Sequence, residues 1–449
     1  MLDYLRNKIS DRNPLRLLYH KIMAIIATIY YRFPSRYLNV IGITGTKGKT
    51  TTTNLTASIL TEAGYKVGMT STVNFRIGDL TWSNTTKMTS LGPFFLQKML
   101  RRMVNENCTH AVLEVSSHAI LQNRVWGVNF DTAVFTNISE EHVDYHGGFD
   151  NYLRTKGLLF DRLNRSSRKP RIKKVSILNK DDPHFSYFDQ FLVDRQYTFG
   201  KKQGTVFAKN IELLASGSRF ELHVPNDYAD VHLKLPGEFN VYNAVAAATV
   251  ALSQNINIKT IKDALEKASS VPGRYEAVDA GQKYTIIVDY AHTADSLESL
   301  LSLYKNLTKG KLYVVFGATG GGRDKGKRPK MGEAADKHAD YIIVTDDDPY
   351  SENEWKIIED ICAGIQRQEG DGLWKIPNRE EAIKLALTFA QEGDTVVIAG
   401  KGAEEVQMLR GKKIAWDDRK VIRGLLSREM KVEIGRGKFE KRENVYMEG

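Results

Sequence analysis

The stretch Gly42-Ile-Thr-Gly45-Thr-Lys-Gly48-Lys49-Thr50-Thr51 decides the fold. It follows an apolar run, Leu38-Asn-Val-Ile-Gly-Ile43, and opens a segment with helical character from about Lys49 to Ala63. Strand, glycine-rich turn and helix in that order make a phosphate loop. The glycines let the backbone curl so that several N–H groups face one anion, and the helix terminus adds a positive dipole. In such a loop Lys49 neutralises the β- and γ-phosphates, and the hydroxyl of Thr50 binds Mg²⁺. The usual spacing wants glycine where Ile43 stands, so this is a variant loop. ATP is the expected cofactor, with Gly45, Thr46, Lys47, Gly48, Lys49, Thr50 and Thr51 as its cradle.

Working outward, apolar runs recur at Ala111 to Val115, Thr132 to Ile138 and Lys174 to Leu178, with helical patterns between them. That alternation predicts a mostly parallel sheet. Short alternating segments from Tyr197 to Leu235 predict an antiparallel β appendage. A second alternation begins near Gly273, with strands expected at Thr285 to Asp289, Lys311 to Phe316, Tyr341 to Thr345 and Thr395 to Ala399. The expected fold is therefore α/β: a central P-loop ATPase-type domain with a β appendage, then a C-terminal Rossmann-like domain.

A chain of 449 residues, 42% hydrophobic, has material for two or three cores. Its two cysteines, Cys108 and Cys362, are far apart in sequence. That pattern does not point to a disulfide framework or a cysteine metal site, and a reducing, cytoplasmic compartment is expected. The formal charge of +10 is compatible with nucleic acid, a membrane surface or an anionic substrate. No nucleic-acid motif accompanies it, so the anionic substrate leads.

Near the N-terminus, Ile22 to Tyr31 is an apolar stretch of ten residues bracketed by Arg12, Arg16, Lys21, Arg32 and Arg36. It is too short to span a bilayer. The following Tyr31-Arg-Phe-Pro-Ser-Arg36 is a poor signal-peptidase site. Two readings stay open: a helix packed on the main body, or an interfacial helix making peripheral contact with an anionic membrane.

Chemistry-bearing residues cluster after the strands. Glu114 ends one strand, on the side where the phosphate loop lies, and a carboxylate there can share the Mg²⁺ of Thr50. Phe135-Thr-Asn137-Ile-Ser-Glu140-Glu-His142-Val-Asp144-Tyr-His146-Gly147 is dense in possible ligands. Beyond it Lys156 interrupts the apolar face of a helical segment, where a snorkelling surface lysine is the plainer reading.

Taken together, Gly45-Thr-Lys-Gly-Lys-Thr-Thr51, Glu114-Val-Ser-Ser-His118, Phe135-Thr-Asn137, His142-Val-Asp-Tyr-His146-Gly147 and Lys156 closely resemble the Mur ligases. The likeness is greatest to the branch that adds the third residue of the peptidoglycan stem peptide. It runs from about Leu38 to Leu425, with the motifs in the family's order. It implies an ADP-forming amide ligase that adds an amino acid to a muramoyl-dipeptide carboxylate through an acyl phosphate. It also implies that Lys156 is carbamylated by CO₂ and that, with His142 and Glu114, it holds a second Mg²⁺. Lys49, Glu114, His142 and Lys156 are then the catalytic set.

The resemblance further assigns Ser116, Gln122 and Arg124 to the acceptor, together with Thr85 and Thr86, after which Lys87 stands where the family has proline. It assigns Asn240 and Asn243 to the adenine, and Arg274 and Asp289 to the nucleotide. Arg323, Gly400 and Glu404 would meet the incoming amino acid. Members that select meso-diaminopimelate carry Asp-Asn-Pro-Arg where this chain has Asp347-Asp348-Pro-Tyr350. Tyr350 cannot grip a carboxylate bidentately, and Asp347, Asp348 and Glu404 suit a distal ammonium, so a lysine-like amino acid is expected.

The family's order implies four parts: a short N-terminal segment over 1–37 in place of a UDP-binding domain, a central ATP-binding domain over 38–272, a C-terminal amino-acid-binding domain over 273–426, and a tail over 427–449. The acceptor could then carry UDP, carry a lipid, or be a folate or glutamyl peptide. An inactive nucleotide-binding regulator of the same fold is the remaining alternative. A monomer is expected, with small-molecule substrates and no nucleic-acid partner.

Overall fold

The computed structural model describes residues 13–84, 86, 88–139, 143–201, 203–214, 217–268, 272–321 and 325–427. The chain divides into two compact units, one of Met1–Leu213 and Gly217–Ser269, the other of Leu214–Ser216 and Ser270–Gly449.

The first unit is built on an eleven-stranded sheet. In chain order its strands are β1 Asn39–Thr44, β2 Val67–Thr70, β3 Asn74–Ile77, β4 Leu80–Ser83, β5 His110–Glu114, β6 Thr132–Phe135, β7 Val175–Asn179, β8 Arg195–Gly200, β9 Val206–Leu214, β10 Gly217–Val224 and β11 Asp227–Leu233. In space they run β11-β10-β9-β8-β7-β6-β1-β5-β2-β3-β4. β1 is central and pairs in parallel with β5 and β6, so Ile43 lies beside both Glu114 and Val134. That register brings the end of β5 level with the start of the phosphate loop.

The segment expected as an antiparallel appendage is the far edge of this same sheet. β8 pairs in parallel with β7 and with β9, whereas β10 and β11 pair antiparallel. Alternation misled because parallel strands are usually covered on both faces. Here one face packs on the helix Glu238–Ser253, through Phe199, Phe220 and Val231 against Val241 and Val245, while β9 keeps Lys209 and Asn210 exposed.

A second core lies around Phe130, Phe135, Leu159, Phe160 and Phe188. It includes one face of the helix Phe149–Arg165, and Tyr152, Lys156 and Phe160 of that helix are buried together. Away from the loop, the fully buried Asp131 carboxylate accepts from the Lys169 and Lys174 amines and from the backbone N–H of Val40. The pairing tethers the start of β1 to β7.

The second unit has β12 Glu276–Ala277, β13 Thr285–Asp289, β14 Leu312–Phe316, β15 Tyr341–Val344, β16 Leu373–Lys375 and β17 Thr395–Ala399. Their order is β12-β13-β17-β14-β15-β16, parallel except for β12. A hairpin, β18 Val406–Leu409 and β19 Lys412–Ala415, follows. Aliphatic side chains cover both faces of the sheet. Among the described residues no helix is long and apolar enough to cross a membrane.

Arg379 holds the strand ends of this unit together. Its fully buried guanidinium donates to both oxygens of the buried Asp418 and to the carbonyls of Asp346 and Ala399. Breaking a buried pair strands a charge at a cost of about 3–5 kcal/mol. Arg379→Met is expected to lower the unfolding free energy of the second unit by an amount in that range, measured by urea denaturation, whereas exchanging the exposed Lys384 for Met is expected to change it little.

Candidate active site

The phosphate loop is shaped from outside as much as by its glycines. Gly48 sits at φ +82°, and a Cβ there would fall 2.1 Å from Asn243 Oδ1. Asn243 Nδ2 donates to Asn240 Oδ1, whose own amide donates to the carbonyl of Pro236. On the other side Thr136 and Asn137 grip Lys47: Thr136 Oγ1 and Asn137 Nδ2 donate to its carbonyl, and its N–H donates to Asn137 Oδ1. The N–H of Thr46 donates to the Asn137 carbonyl. The helix Lys49–Glu62 starts at Gly48 with no side-chain cap, so its first N–H groups remain available to an anion. Lys49 Nζ lies over the loop, donating to the carbonyls of Gly45 and Thr46 at 3.1 and 2.7 Å.

Thr50 and Glu114 meet. The Thr50 hydroxyl is 3.1 and 3.0 Å from the two carboxylate oxygens. Glu114 is almost fully buried and also accepts from the N–H and hydroxyl of Thr72. Thr72, just after β2, carries no signal in the sequence that separates it from other surface threonines. A hydroxyl and a carboxylate on adjacent elements form a hard, all-oxygen donor pair suited to Mg²⁺. Among the described residues no three His, Cys, Asp or Glu side chains cluster closely enough to hold a metal by themselves.

Lys156 is not a snorkelling surface residue. It is 1% exposed, its Nζ donates to the carbonyl of Gly45 at 2.6 Å, and it lies over the Tyr152 ring. The Tyr152 hydroxyl is in turn 3.0 Å from Thr46 Oγ1. One end of the loop is thus bound to Lys156 and Tyr152, the other to Glu114 through Thr50. His142, Thr85 and Arg323 lie outside the described residues.

Of the residues expected at the acceptor, Ser116, Gln122 and Arg124 fall into one hydrogen-bonded group. Arg124 donates to Gln122 Oε1 at 2.8 Å and to the carbonyl of Ser90. Gln122 donates to the Tyr145 hydroxyl, and Ser116 exchanges contacts with Ser90 through its N–H and hydroxyl. Ser90 and Tyr145 were not singled out from sequence, although Tyr145 stands inside the His142-to-Gly147 motif. Thr86 is turned toward Asn84, to which both its N–H and hydroxyl donate.

In the second unit Asp289 accepts from the N–H groups of Tyr275 and Ala291 and is buried. Burial pushes its carboxyl above the usual carboxylate range, with Arg274 opposing the shift. Arg274 lies over the Tyr290 ring. Asp347, Asp348 and Glu404 gather round one buried amine, Lys401, at 3.5, 3.0 and 3.2 Å. Burial works against that ammonium, but the three carboxylates outweigh it and hold its pKa above the ordinary lysine value. Sequence reasoning passed over Lys401, so the acidic residues already have a cation within the protein. Tyr350 stands beside them at φ +57°, its backbone paired with Met408 and Gly411.

With this geometry in view, two family models match: Mur ligase middle domain over residues 43–251, and Mur ligase, glutamate ligase domain over 273–402. The chain belongs to the Mur ligase family. A UDP-N-acetylmuramoyl-L-alanyl-D-glutamate--2,6-diaminopimelate ligase of Geobacillus kaustophilus (strain HTA426) is 44% identical over 408 residues, 90% of this chain and 82% of the relative. One of Clostridium botulinum (strain ATCC 19397 / Type A) is 39% identical over 410 residues, 90% and 81% of the two. Among solved structures, a ligase of the same name superposes with a TM-score of 0.66 at 31% identity, covering 88% of this chain and 79% of that one. Mycobacterium tuberculosis folylpolyglutamate synthase, at 17% identity and a TM-score of 0.64 over 84% and 91% of the two chains, shares the fold. As a Mur ligase the chain is an ATP-dependent amino-acid ligase that works with Mg²⁺ on small molecules.

Gly48→Ala tests the loop. A left-handed φ and the Asn243 contact together make alanine strained by about 1–3 kcal/mol. ATP affinity measured by calorimetry is expected to fall at least about tenfold, with the far-ultraviolet circular dichroism unchanged.

Proposed function

We propose that this Mur ligase joins an amino acid to the free carboxylate of a muramoyl dipeptide, and that the phosphate loop, Glu114 and Lys156 carry the chemistry. The attachment of Thr50–Glu114 and of Lys156 to the two ends of one loop is the observation that supports this most. The Arg124–Gln122–Ser116 group supports an acceptor carboxylate near that loop, since a guanidinium can orient it bidentately. The names of the relatives support the muramoyl dipeptide as acceptor.

In the reaction an acceptor carboxylate oxygen attacks the γ-phosphorus and the bond to the β-phosphate oxygen breaks, releasing ADP. The amino acid's neutral amine then attacks the acyl carbon. The carbon–oxygen bond to phosphate breaks, phosphate leaves, and the amine gives up a proton. Lys49 can follow the γ-phosphoryl group because, among the described residues, its amine is held by the loop carbonyls of Gly45 and Thr46. Bound at Thr50 and Glu114, Mg²⁺ would supply charge neutralisation to the phosphates. Asn240 and Asn243 are read as the adenine edge of the site and also shape Gly48. Arg274 and Asp289 are assigned to the nucleotide.

Carbamylation of Lys156 belongs to this proposal. A buried amine beside a phosphate site would repel a second Mg²⁺, whereas its carbamate would supply oxygen ligands together with His142 and Glu114. Stripping CO₂ and bicarbonate from the assay is expected to lower ADP release reversibly. Lys156→Ala is expected to lose about a hundredfold or more in activity, and full activity in that variant would refute the assignment.

For the amino acid, Tyr350 supports a lysine-like substrate over meso-diaminopimelate. The acidic residues support it less, because Lys401 faces them. Diaminopimelate, named for the relatives, is the competing choice, with Arg323 free in this proposal to meet an α-carboxylate and Gly400 to approach it closely. UDP-muramoyl dipeptide, its lipid-linked form and a sugar-free dipeptide, each offered lysine, ornithine and diaminopimelate, are expected to give coupled product and ADP fastest with a muramoyl acceptor and lysine. Tyr350→Arg is expected to raise the rate with diaminopimelate relative to lysine. Equal rates for the two amino acids with the native protein would overturn the Tyr350 reading.

A further inference from the structure

The helix Pro14–Tyr30 is mounted with its small residues inward. Ala24, Ala27 and Thr28 are its buried positions. Thr28 donates to the carbonyls of Ala24 and Trp126, and Gly127 approaches so closely that a Cβ there would fall 2.2 Å from Thr28 Oγ1. The turn after the helix is clamped by Arg101, which donates to the carbonyls of Tyr31 and Arg32. The helix is thus docked on the first unit, and its large apolar residues point the other way.

Leu15, Leu18, Tyr19, Ile22, Ile26, Ile29 and Tyr30 are 45–77% exposed. At 3.6 residues per turn they form one stripe covering about a third of the circumference. Lys21 falls on one border of the stripe and Arg16 on the other, with Arg32 and Arg36 just beyond its end. From Pro14 to Leu38 there is no acidic residue. Apolar stripe, cationic borders and tyrosines at the edge match the layers of an anionic bilayer surface: acyl chains, headgroup phosphates and the interface between them. A second copy suits the face less, since a symmetric pairing would set these cations against themselves.

We propose that this helix lies in the plane of an anionic lipid surface and holds the ligase there as a peripheral protein. The net charge of +10 adds long-range attraction to the same surface. The proposal is independent of which acceptor or amino acid the ligase uses.

The test is co-sedimentation of the full chain with vesicles of phosphatidylcholine alone, or with about a third phosphatidylglycerol. Binding to the anionic vesicles is expected to exceed that to the zwitterionic ones by about tenfold or more and to weaken with salt. Ile22→Glu with Ile26→Glu, both on the exposed stripe, is expected to abolish binding while ATP-dependent ligation in solution is unchanged. Lys21→Gln, Arg32→Gln and Arg36→Gln together are expected to reduce binding and flatten its salt dependence. No binding to anionic vesicles, or binding that the glutamate variant retains, would overturn the proposal. A concentration-dependent dimer that the glutamate variant abolishes, without vesicle binding, would overturn it in favour of a second copy.

Discussion

Everything in the first unit turns on holding a tight loop open toward an anion. A backbone curled enough to aim several N–H groups one way is unstable alone, because those dipoles repel and glycines lose the most entropy on ordering. The protein meets this by clamping the loop's outward carbonyls. Lys47 is held by Thr136 and Asn137, and Gly45 by Lys156. With these carbonyls engaged from behind, and the N–H groups of Thr46 and Lys47 taken up by Asn137, the uncapped N–H groups at the start of the helix Lys49–Glu62 are left to face the ligand. The parallel pairing of β1 with β6 puts Thr136 and Asn137 at the strand end beside the loop, and the helix Phe149–Arg165 brings Lys156 to it.

The second unit uses a related device with opposite polarity. There the loops after β15 and β17 carry Asp346, Asp347, Asp348 and Glu404, and buried cations gather them. Lys401 faces three carboxylates, and Arg379 reaches the Asp346 carbonyl and Asp418. The cost of desolvating so much charge is offset by close pairing, which also fixes the loops relative to one another. Asp346 shows how narrow the balance is: burial pushes its carboxyl up to about 7 despite Arg379 and Gln407. Because the folded state holds this proton more tightly than the unfolded chain, Asp346 favours folding most below the unfolded pKa and loses that contribution as pH rises toward 7.

Much of this was legible from residues whose meaning is local. Glycines between a strand and a helix declare a phosphate loop, and a carboxylate ending the neighbouring strand lies at the same level by parallel register. Thr72 and Ser90 were not legible, since a threonine or serine looks alike whether it contacts a buried carboxylate or water. Lys156 and Lys401 are harder still: burial of an ammonium depends on partners distant in sequence, and lysine is rarely buried. The family resemblance directed attention to the first of these lysines and not to the second. The short strands β2 to β4 escaped for another reason, because strands of four residues carry too little periodicity to stand out.

The N-terminal helix marks a limit of a different kind. Periodicity reports that a segment has two unlike faces, and the usual inference is that the larger, more apolar face turns inward. That inference rests on the greater gain from burying leucine and isoleucine than alanine. Here the close approach of Gly127 and the bond from Thr28 to Trp126 reward the small face instead, because only a slim ridge reaches that surface. A helix so mounted leaves the hydrophobic effect unspent on its outer stripe, in a stretch from Pro14 to Leu38 whose charged residues are all basic. The two sequence readings, a helix docked on the body and a helix at a lipid surface, therefore do not compete: the small face serves the first and leaves the large face for the second.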